Sequence, residues 1–149
     1  MIYEGTISYE KVTEKGNTRT VKESYLIENA ETFHDAEATL YAYGYANNIN
    51  NLDVVSLKRS KIKEIARHGG KLDTAIFIAT LTDVFTDDEG KEKEMNYDIA
   101  FFAPNIQEAH NFIIMYAEQG YCMEMRSLKQ TKFIDILDEI KIIDKQKDE

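Results

Sequence analysis

One block of ten residues occurs twice in this chain, and the duplication restricts the possible folds more than any other feature. Residues 56–65 read SLKRSKIKEI, and residues 127–136 read SLKQTKFIDI. Five of the ten positions are identical, and three more keep their chemistry as Ser/Thr, Ile/Phe and Glu/Asp pairs. Self-similarity at a fixed offset is typical of a chain built from copies of one supersecondary unit.

A helix start precedes each copy of the block. Thr32 with Asp35, and Asn105 with Glu108, have the spacing of a capping box, in which the short polar side chain accepts from a free backbone N–H. Apolar residues then recur at helical intervals, and we expect them to face the core: Phe33, Ala36, Leu40 and Tyr43 in one copy, and Ile106, Ala109, Ile113 and Tyr116 in the other. Each copy therefore predicts one amphipathic helix.

Glycine and polar clusters indicate where the elements end. Gly44 and Gly120 predict the ends of the two helices. The asparagine-rich residues 47–51 predict a longer loop after the first helix. Before each helix, alternating apolar residues flank a turn sequence, at residues 14–17 in the first copy and 87–90 in the second, which predicts two hairpins.

Each copy thus reads strand, strand, helix, strand. The predicted fold class is α+β, a mainly antiparallel sheet with two helices packed on it. The predicted ββαβ repeats span residues 1–66 and 72–137, with a linker at 67–71 and a tail at 138–149. Neither repeat is comfortably large by itself, so we expect residues 1–149 to form a single pseudo-symmetric domain.

Charge is spread unevenly along the chain, whose formal net charge is −9. Through Gly70 there are nine basic and ten acidic residues, whereas the remainder has nine basic and seventeen acidic residues. An acidic total disfavours indiscriminate binding to duplex DNA or to anionic membranes, because contacts to phosphate need lysine and arginine. A local basic surface on the first half is still compatible with this balance.

Cysteine content and hydropathy predict the compartment. The one cysteine, Cys122, cannot form an internal disulfide, which fits a reducing environment. No apolar run approaches the roughly 18 residues of a membrane span, and the first residues do not resemble a signal peptide. We therefore expect a cytoplasmic protein that does not contact a membrane.

Motifs for catalysis are missing from the sequence. It contains neither a Gly-x-Ser-x-Gly nucleophile motif nor a glycine-rich phosphate loop. His34, His68 and His110 have no His or Cys at metal-ligand spacing, and the acidic residues 87–89 fit a solvated hairpin tip better than a calcium loop. We expect no catalytic residues, no metal site and no cofactor.

Lysine and tyrosine are the residues that suggest a ligand. Positive charge beside hydroxyl and aromatic groups on a strand suits single-stranded nucleic acid, with lysine for phosphate and an aromatic face for the base. Tyr43 and Tyr116 are expected to pack in the core, whereas Tyr41 and Tyr45 are less constrained. The candidate nucleic-acid-binding residues are Lys58, Arg59, Lys61, Lys129, Lys132, Phe133, Tyr41 and Tyr45.

The duplicated lysines have a purely structural interpretation as well. Lysine on an edge strand prevents edge-to-edge pairing, and duplication of the unit would repeat it without any ligand. The predicted strand also divides its cations between two faces, with Lys58 on one and Arg59 and Lys61 on the other, which weakens the idea of a single groove.

The chain resembles a family of small proteins from gut Bacteroidetes and their phages, a domain of unknown function of the DUF4494 type. The resemblance lies in the helix start at residues 32–38, the strand at 57–62 and the opening Tyr-Glu-Lys-Val at 9–12. It covers most of the chain, up to about residue 136, while residues 41–51 depart from the pattern and suggest a phage-encoded member. The resemblance implies no activity and transfers no site residue.

These observations lead to two functional hypotheses. The first is a non-catalytic accessory protein that binds single-stranded nucleic acid, with DNA favoured. The alternative is a protein-binding adaptor or inhibitor that uses the acidic second half as its contact surface. The pseudo-symmetry would also suit a homodimer.

Overall fold

The computed structural model describes residues 1–66, 74–119 and 123–138. The elements in chain order are β1 (Tyr3–Val12), β2 (Thr18–Ile27), α1 (Phe33–Ala46), β3 (Asp53–Arg59), β4 (Ile62–Ile65), β5 (Ala75–Thr86), β6 (Glu92–Ala103), α2 (Ile106–Glu118), β7 (Glu124–Gln130) and β8 (Phe133–Leu137). The α+β class is confirmed. The predicted linker at 67–71, the tail beyond residue 138, Gly120 and Cys122 lie outside the described residues.

The repeated block forms two strands in each copy, so the prediction of one continuous strand is wrong. β3 ends at Arg59 and β4 begins at Ile62, while β7 ends at Gln130 and β8 begins at Phe133. Ser60 and Thr131 lie at the two breaks. The backbone N–H of Ser60 donates to the carbonyl of Ile2 at 2.8 Å, and Thr131 donates both its N–H and its hydroxyl to the carbonyl of Ile76. Since the strand is interrupted there, alternation cannot be counted across residue 60.

The first compact unit, which we call unit 1, consists of residues 1–60 together with residues 133–138 among those that the structure describes. Its sheet has the order β3-β1-β2-β8. β1 pairs antiparallel with both β2 and β3, and β8 pairs parallel with β2. The buried core joins the sheet to α1 and includes Tyr3, Ile7, Tyr25, Ile27, Ala36, Leu40 and Leu137.

The second compact unit, unit 2, is the continuous segment of residues 61–132. Its sheet has the order β4-β6-β5-β7, with β5 antiparallel to β6 and β7, and β4 parallel to β6. Phe77, Leu81 and Phe101 of the sheet pack with Ile113 of α2, and the rings of Phe101 and Phe112 lie 4.8 Å apart. Most strand pairs in both units are antiparallel, as expected. That the chain behaves as a single domain stays a prediction.

The helix starts follow the capping-box prediction. The Thr32 hydroxyl accepts from the Asp35 N–H at 3.1 Å, and the Asn105 side chain accepts from the Glu108 N–H at 2.9 Å. Each cap satisfies one backbone donor that the first helical turn leaves without a partner. Neither helix of the described chain is long and apolar enough to span a bilayer.

Gly44 lies in the last turn of α1, so the helix ends near this glycine, as predicted. The helix continues to Ala46, and the Ile49 N–H donates to the Gly44 carbonyl at 2.8 Å. A Cβ placed on Gly44 would lie 2.0 Å from Cδ2 of Leu52, so a larger residue here requires the Leu52 side chain to shift.

We predict that Gly44→Ala destabilises the protein. Alanine normally stabilises a helix interior by about 1 kcal/mol relative to glycine, but overpacking against Leu52 should reverse the sign and cost about 1–3 kcal/mol. Urea unfolding measures the change. In a Leu52→Ala background the same substitution should be much less harmful, and an equal loss in both backgrounds would contradict the steric explanation.

A second prediction concerns β8, which joins unit 1 from the far end of the chain. Leu137 is 4% exposed within the unit 1 core, whereas Ile134 on the same strand is 52% exposed. Leu137→Ala should lower the free energy of unfolding by about 2–5 kcal/mol. Ile134→Ala serves as the control and should stay within about 0.5 kcal/mol of the parent. Similar losses in both variants, measured in urea, would show that β8 does not complete this core.

Candidate functional site

The duplicated lysines lie on the edges of the two sheets. β3 is an outer strand of the unit 1 sheet, and β7 is an outer strand of the unit 2 sheet. Lys58 and Lys129 are exposed, and they lie opposite Glu4 and Ile78 of the neighbouring strands. This is the placement in which lysine discourages pairing with another sheet. The edge-protection interpretation therefore gains support for these two residues.

The predicted cations do not share one face within unit 1. Arg59 lies opposite Tyr3, whose side chain is in the core beneath α1, so alternation puts Lys58 on the other face of the sheet. Phe133 is half-buried beside Ser24 on β2. The remaining predicted cations, Lys61, Lys129 and Lys132, are exposed residues of unit 2.

Three aromatic side chains of α1 are exposed, and we call them the aromatic row: Phe33, Tyr41 and Tyr45. They are 48%, 46% and 81% exposed, respectively. Tyr41 and Tyr45 are four residues apart and therefore neighbours on the helix surface, since 3.6 residues make one turn. Phe33 lies two turns before Tyr41, toward the side of the helix that carries buried Ala36 and Leu40. The structure thus brings the two predicted tyrosines together, with Phe33 exposed at the start of the same helix.

Arg59 extends the aromatic row at its amino-terminal end. Its guanidinium carbon lies 5.9 Å from the centre of the Phe33 ring, which is cation–π distance. Phe33 also makes an edge-to-face contact with Tyr3, with ring centroids 5.1 Å apart. Of the predicted residues, Arg59, Tyr41 and Tyr45 are therefore on the α1 side of unit 1.

The prediction that Phe33 and Ile106 face the core is wrong. Each is the first residue of its helix, and they are 48% and 54% exposed. The spacing of apolar residues does not show whether a residue in the first helical turn packs against the sheet, because the sheet does not extend equally under every turn. Tyr43 and Tyr116, in contrast, pack against their cores as predicted.

Residues 47–51, which we call the asparagine loop, lie between two cavities of unit 1. Asn48 and Asn51 adopt left-handed backbone conformations, with φ of 55° and 58°. Asparagine accepts this conformation more readily than most residues. On one side of the loop, a cavity of about 580 Å³ is lined by Tyr41, Tyr45 and loop residues.

The cavity on the other side of the loop is larger, about 870 Å³. Its walls are the distal part of the β1–β2 hairpin, the asparagine loop and Tyr43 of α1. Tyr9 and Glu23 contribute to the lining, together with Lys11 and the exposed carboxylate of Asp53. We call it the tyrosine–glutamate cavity.

Four side chains form a hydrogen-bonded network at this cavity. The Tyr9 hydroxyl donates to Oε1 of Glu23 at 2.5 Å, and the Tyr25 hydroxyl donates to Oε2 of the same carboxylate. The hydroxyls of Tyr25 and Tyr43 lie 3.0 Å apart. The hydrogen bond to Glu23, with burial, raises the pKa of Tyr9 to about 12. Burial, then hydrogen bonds to Glu23 and Tyr43, raise the pKa of Tyr25 as well.

The raised pKa of Tyr9 predicts a loss of stability at alkaline pH. Its value in the unfolded chain is near 10.0, so the bond to Glu23 contributes fully below that pH and is lost as pH rises through about 12. Tyr9→Phe should therefore destabilise the protein below pH 10.0, and the difference from the parent should shrink as pH approaches 12.

Urea unfolding across this alkaline range measures the difference. Tyr45→Phe is the matched control, because Tyr45 lies outside the network and is 81% exposed. A Tyr9→Phe difference that does not change with pH would contradict the assignment.

No signal in the sequence predicts this network. Tyr9, Glu23 and Tyr43 come from three different elements, and only the strand register and the placement of α1 bring them together. Among the described residues, no group of three His, Cys, Asp or Glu side chains could hold a metal ion.

Comparison with known proteins gives a family but no activity. One family model matches residues 1–139 of the chain, and its description is "Domain of unknown function (DUF4494)". No curated protein matches the sequence.

Proposed function

Because the chain belongs to the DUF4494 family, whose description states no activity, we propose its function from its own surfaces. We propose that it is a non-catalytic accessory protein that binds single-stranded nucleic acid along the aromatic row of α1. A cytoplasmic location, in the host cell if a phage encodes the chain, is part of this proposal.

The observation that carries the proposal is the exposure of three aromatic rings on one helix, of which Tyr41 and Tyr45 are one turn apart. Tyr45 leaves 81% of its surface in water, and Phe33 and Tyr41 leave nearly half. Unstacked bases gain about 1–3 kcal/mol each by stacking on such rings. Duplex bases are already stacked on each other, so an aromatic row favours a single strand over a duplex.

Polar groups at both ends of the row suit the other parts of a nucleotide. Arg59 beside Phe33 can contact phosphate or stack on a base. Beyond Tyr45, the side-chain amides of the asparagine loop can donate to and accept from base edges. We therefore expect stacking on the aromatic rings to contribute more to binding than contacts between charged groups.

The charge distribution predicts weak dependence of binding on salt. The duplicated lysines lie on sheet edges, and Lys58 is on the sheet face opposite Arg59. Among the described residues of unit 1, Arg59 is the cation that the structure places beside a ring of the row, so we expect few counterions to be released when the strand binds. We accordingly assign Lys58 and Lys129 to edge protection and give the binding role to Arg59, Tyr41 and Tyr45.

Fluorescence anisotropy of labelled single-stranded DNA and RNA tests the proposal, at about 50 and 200 mM salt. Each of Tyr41→Ala and Tyr45→Ala should weaken binding by about tenfold, because each removes one stacking surface. Ile114→Ala is the control, since Ile114 is the ninth residue of α2 as Tyr41 is of α1, and it is 37% exposed.

Two outcomes would overturn the proposal. One is the absence of saturable binding at the lower salt concentration. The other is an equal loss of binding in Tyr41→Ala and Ile114→Ala, which would mean that the rings do not contact the strand. If Lys58→Ala binds as poorly as Tyr41→Ala, the binding site includes the edge strand and is not confined to α1.

A specific observation favours a second candidate, the protein-binding adaptor or inhibitor. α2 exposes Ile106, Ile114 and Met115 by 54%, 37% and 50%. Exposed apolar side chains on the acidic second half of the chain are compatible with a protein partner, including a second copy of the chain. If the anisotropy experiment fails, sedimentation of the parent and of Ile114→Asp tests this candidate through its concentration-dependent association.

A further inference from the structure

The cavity that Tyr41 and Tyr45 share with the asparagine loop has an uncharged lining. We call it the asparagine cavity, and its volume is about 580 Å³. Besides the two tyrosines, three asparagines of the loop and the apolar residues Ala46, Ile49 and Leu52 line it. No acidic or basic side chain belongs to this lining in the described part of the chain. Because moving a phosphate or an ammonium group out of water is costly without an opposite charge, the lining suits a neutral ligand group.

The three asparagine amides of the lining are available to a ligand. Asn48, Asn50 and Asn51 are exposed, and the structure shows no hydrogen bond from their side chains to another described residue. The neighbouring Asn47 side chain, in contrast, donates to the Tyr43 carbonyl at 2.8 Å. Each amide has both a donor and an acceptor, and the two tyrosine hydroxyls of the lining also donate and accept. A ligand in this cavity can therefore satisfy its own donors and acceptors without any charge.

The shared fold of the two repeats does not account for these asparagines. The segment that follows α2, residues 119–123, reads QGYCM and contains no asparagine, although β7 follows it as β3 follows the asparagine loop. Backbone conformation explains two of the three, because Asn48 and Asn51 have positive φ. Asn50 has no such constraint, and its exposed amide is better explained by contact with a ligand.

An amide places one donor beside one acceptor, and this pair distinguishes the bases. On adenine the 6-amino donor lies between two ring acceptors, N1 and N7, so two edges of the base match an amide. Guanine has two acceptors on its N7 edge, and each pyrimidine has one matching edge. Purines also present a larger ring than pyrimidines for stacking on tyrosine. Adenine is thus the base that this combination of rings and amides fits best.

We propose that the asparagine cavity holds one adenine of the bound single strand, with its ring against Tyr41 or Tyr45 and its edge on an asparagine amide. This inference rests on the proposed function and adds a base preference to it. A volume of about 580 Å³ is within the range of ligand sites. The phosphates on either side of the adenine stay in water, outside the uncharged lining.

Fluorescence anisotropy with three labelled DNA strands of about 12 nucleotides tests the inference on the whole protein. One strand contains thymine throughout, the second has one central adenine, and the third has a central purine that lacks the 6-amino group. The adenine strand should bind about fivefold more tightly than the all-thymine strand. The third strand keeps the stacking surface without the donor, so it should lose most of that gain.

A variant of the loop tests the asparagine amides directly. Asn50→Ala combined with Asn48→Gly and Asn51→Gly removes all three amides, and glycine keeps the left-handed backbone accessible at the two positions that need it. The preference for adenine should fall to within about twofold, while affinity for the all-thymine strand stays within about twofold of the parent, since both rings remain. Asn47→Ala is the matched control from the same loop and should keep the preference, because Asn47 does not line the cavity.

Failure of this inference is distinguishable from failure of the proposed function. If no strand binds, the proposed function is wrong and the base preference with it. If the all-thymine strand binds as tightly as the adenine strand, the base preference alone is overturned. Equal binding of the adenine strand and the strand without the amino group would show that stacking selects the ring. An equal loss of preference in Asn47→Ala would show an effect of loop conformation, and either result would also overturn the proposal.

Discussion

The parallel pairing of β8 with β2 is the constraint on which the rest of unit 1 depends. Leu137 places its side chain among Tyr3, Tyr25 and Leu40, and its carbonyl accepts from the Glu28 N–H at 2.9 Å. Parallel neighbours cannot be joined by a tight turn, so the connection between them must be long. Here the connection contains all of unit 2, and the chain leaves unit 1 after residue 60 and returns at residue 133. The core under the aromatic row is therefore completed by a strand more than one hundred residues away.

Local chemistry made most of the secondary structure predictable. The two hairpin turns, both N-caps and the asparagine loop follow from short-range signals, and the structure has each where the sequence indicated. The breaks after Arg59 and Gln130 were not predictable in the same way. One continuous strand and two short strands joined by a bend have the same alternation of apolar and polar residues. Only the partners of β4 and β8 distinguish them, and those partners lie far away along the chain.

The same holds for the candidate sites: residues placed by short-range patterns were predictable, and residues brought together by distant parts of the chain were not. Tyr41 and Tyr45 could be selected from helical spacing, since their side of the helix is not the apolar one. Phe33 was misassigned because its exposure depends on where the sheet ends beneath α1. Glu23 and Tyr25 share one face of β2, but the hydrogen bond from Tyr9 to Glu23 depends on the register between β1 and β2, which brings a second tyrosine to the same carboxylate. No pattern within a single element predicts that second hydrogen bond.

The interrupted course of unit 1 has a consequence for the order in which the protein is assembled during synthesis. Domains usually complete their folding from the amino terminus as the ribosome advances. In this chain, unit 2 is continuous from residue 61 to 132 and has all its strands before β8 has been made. Unit 1 waits for residues 133–137, and until then the outer edge of β2 is unpaired. The segment translated first is therefore the last to acquire its complete sheet.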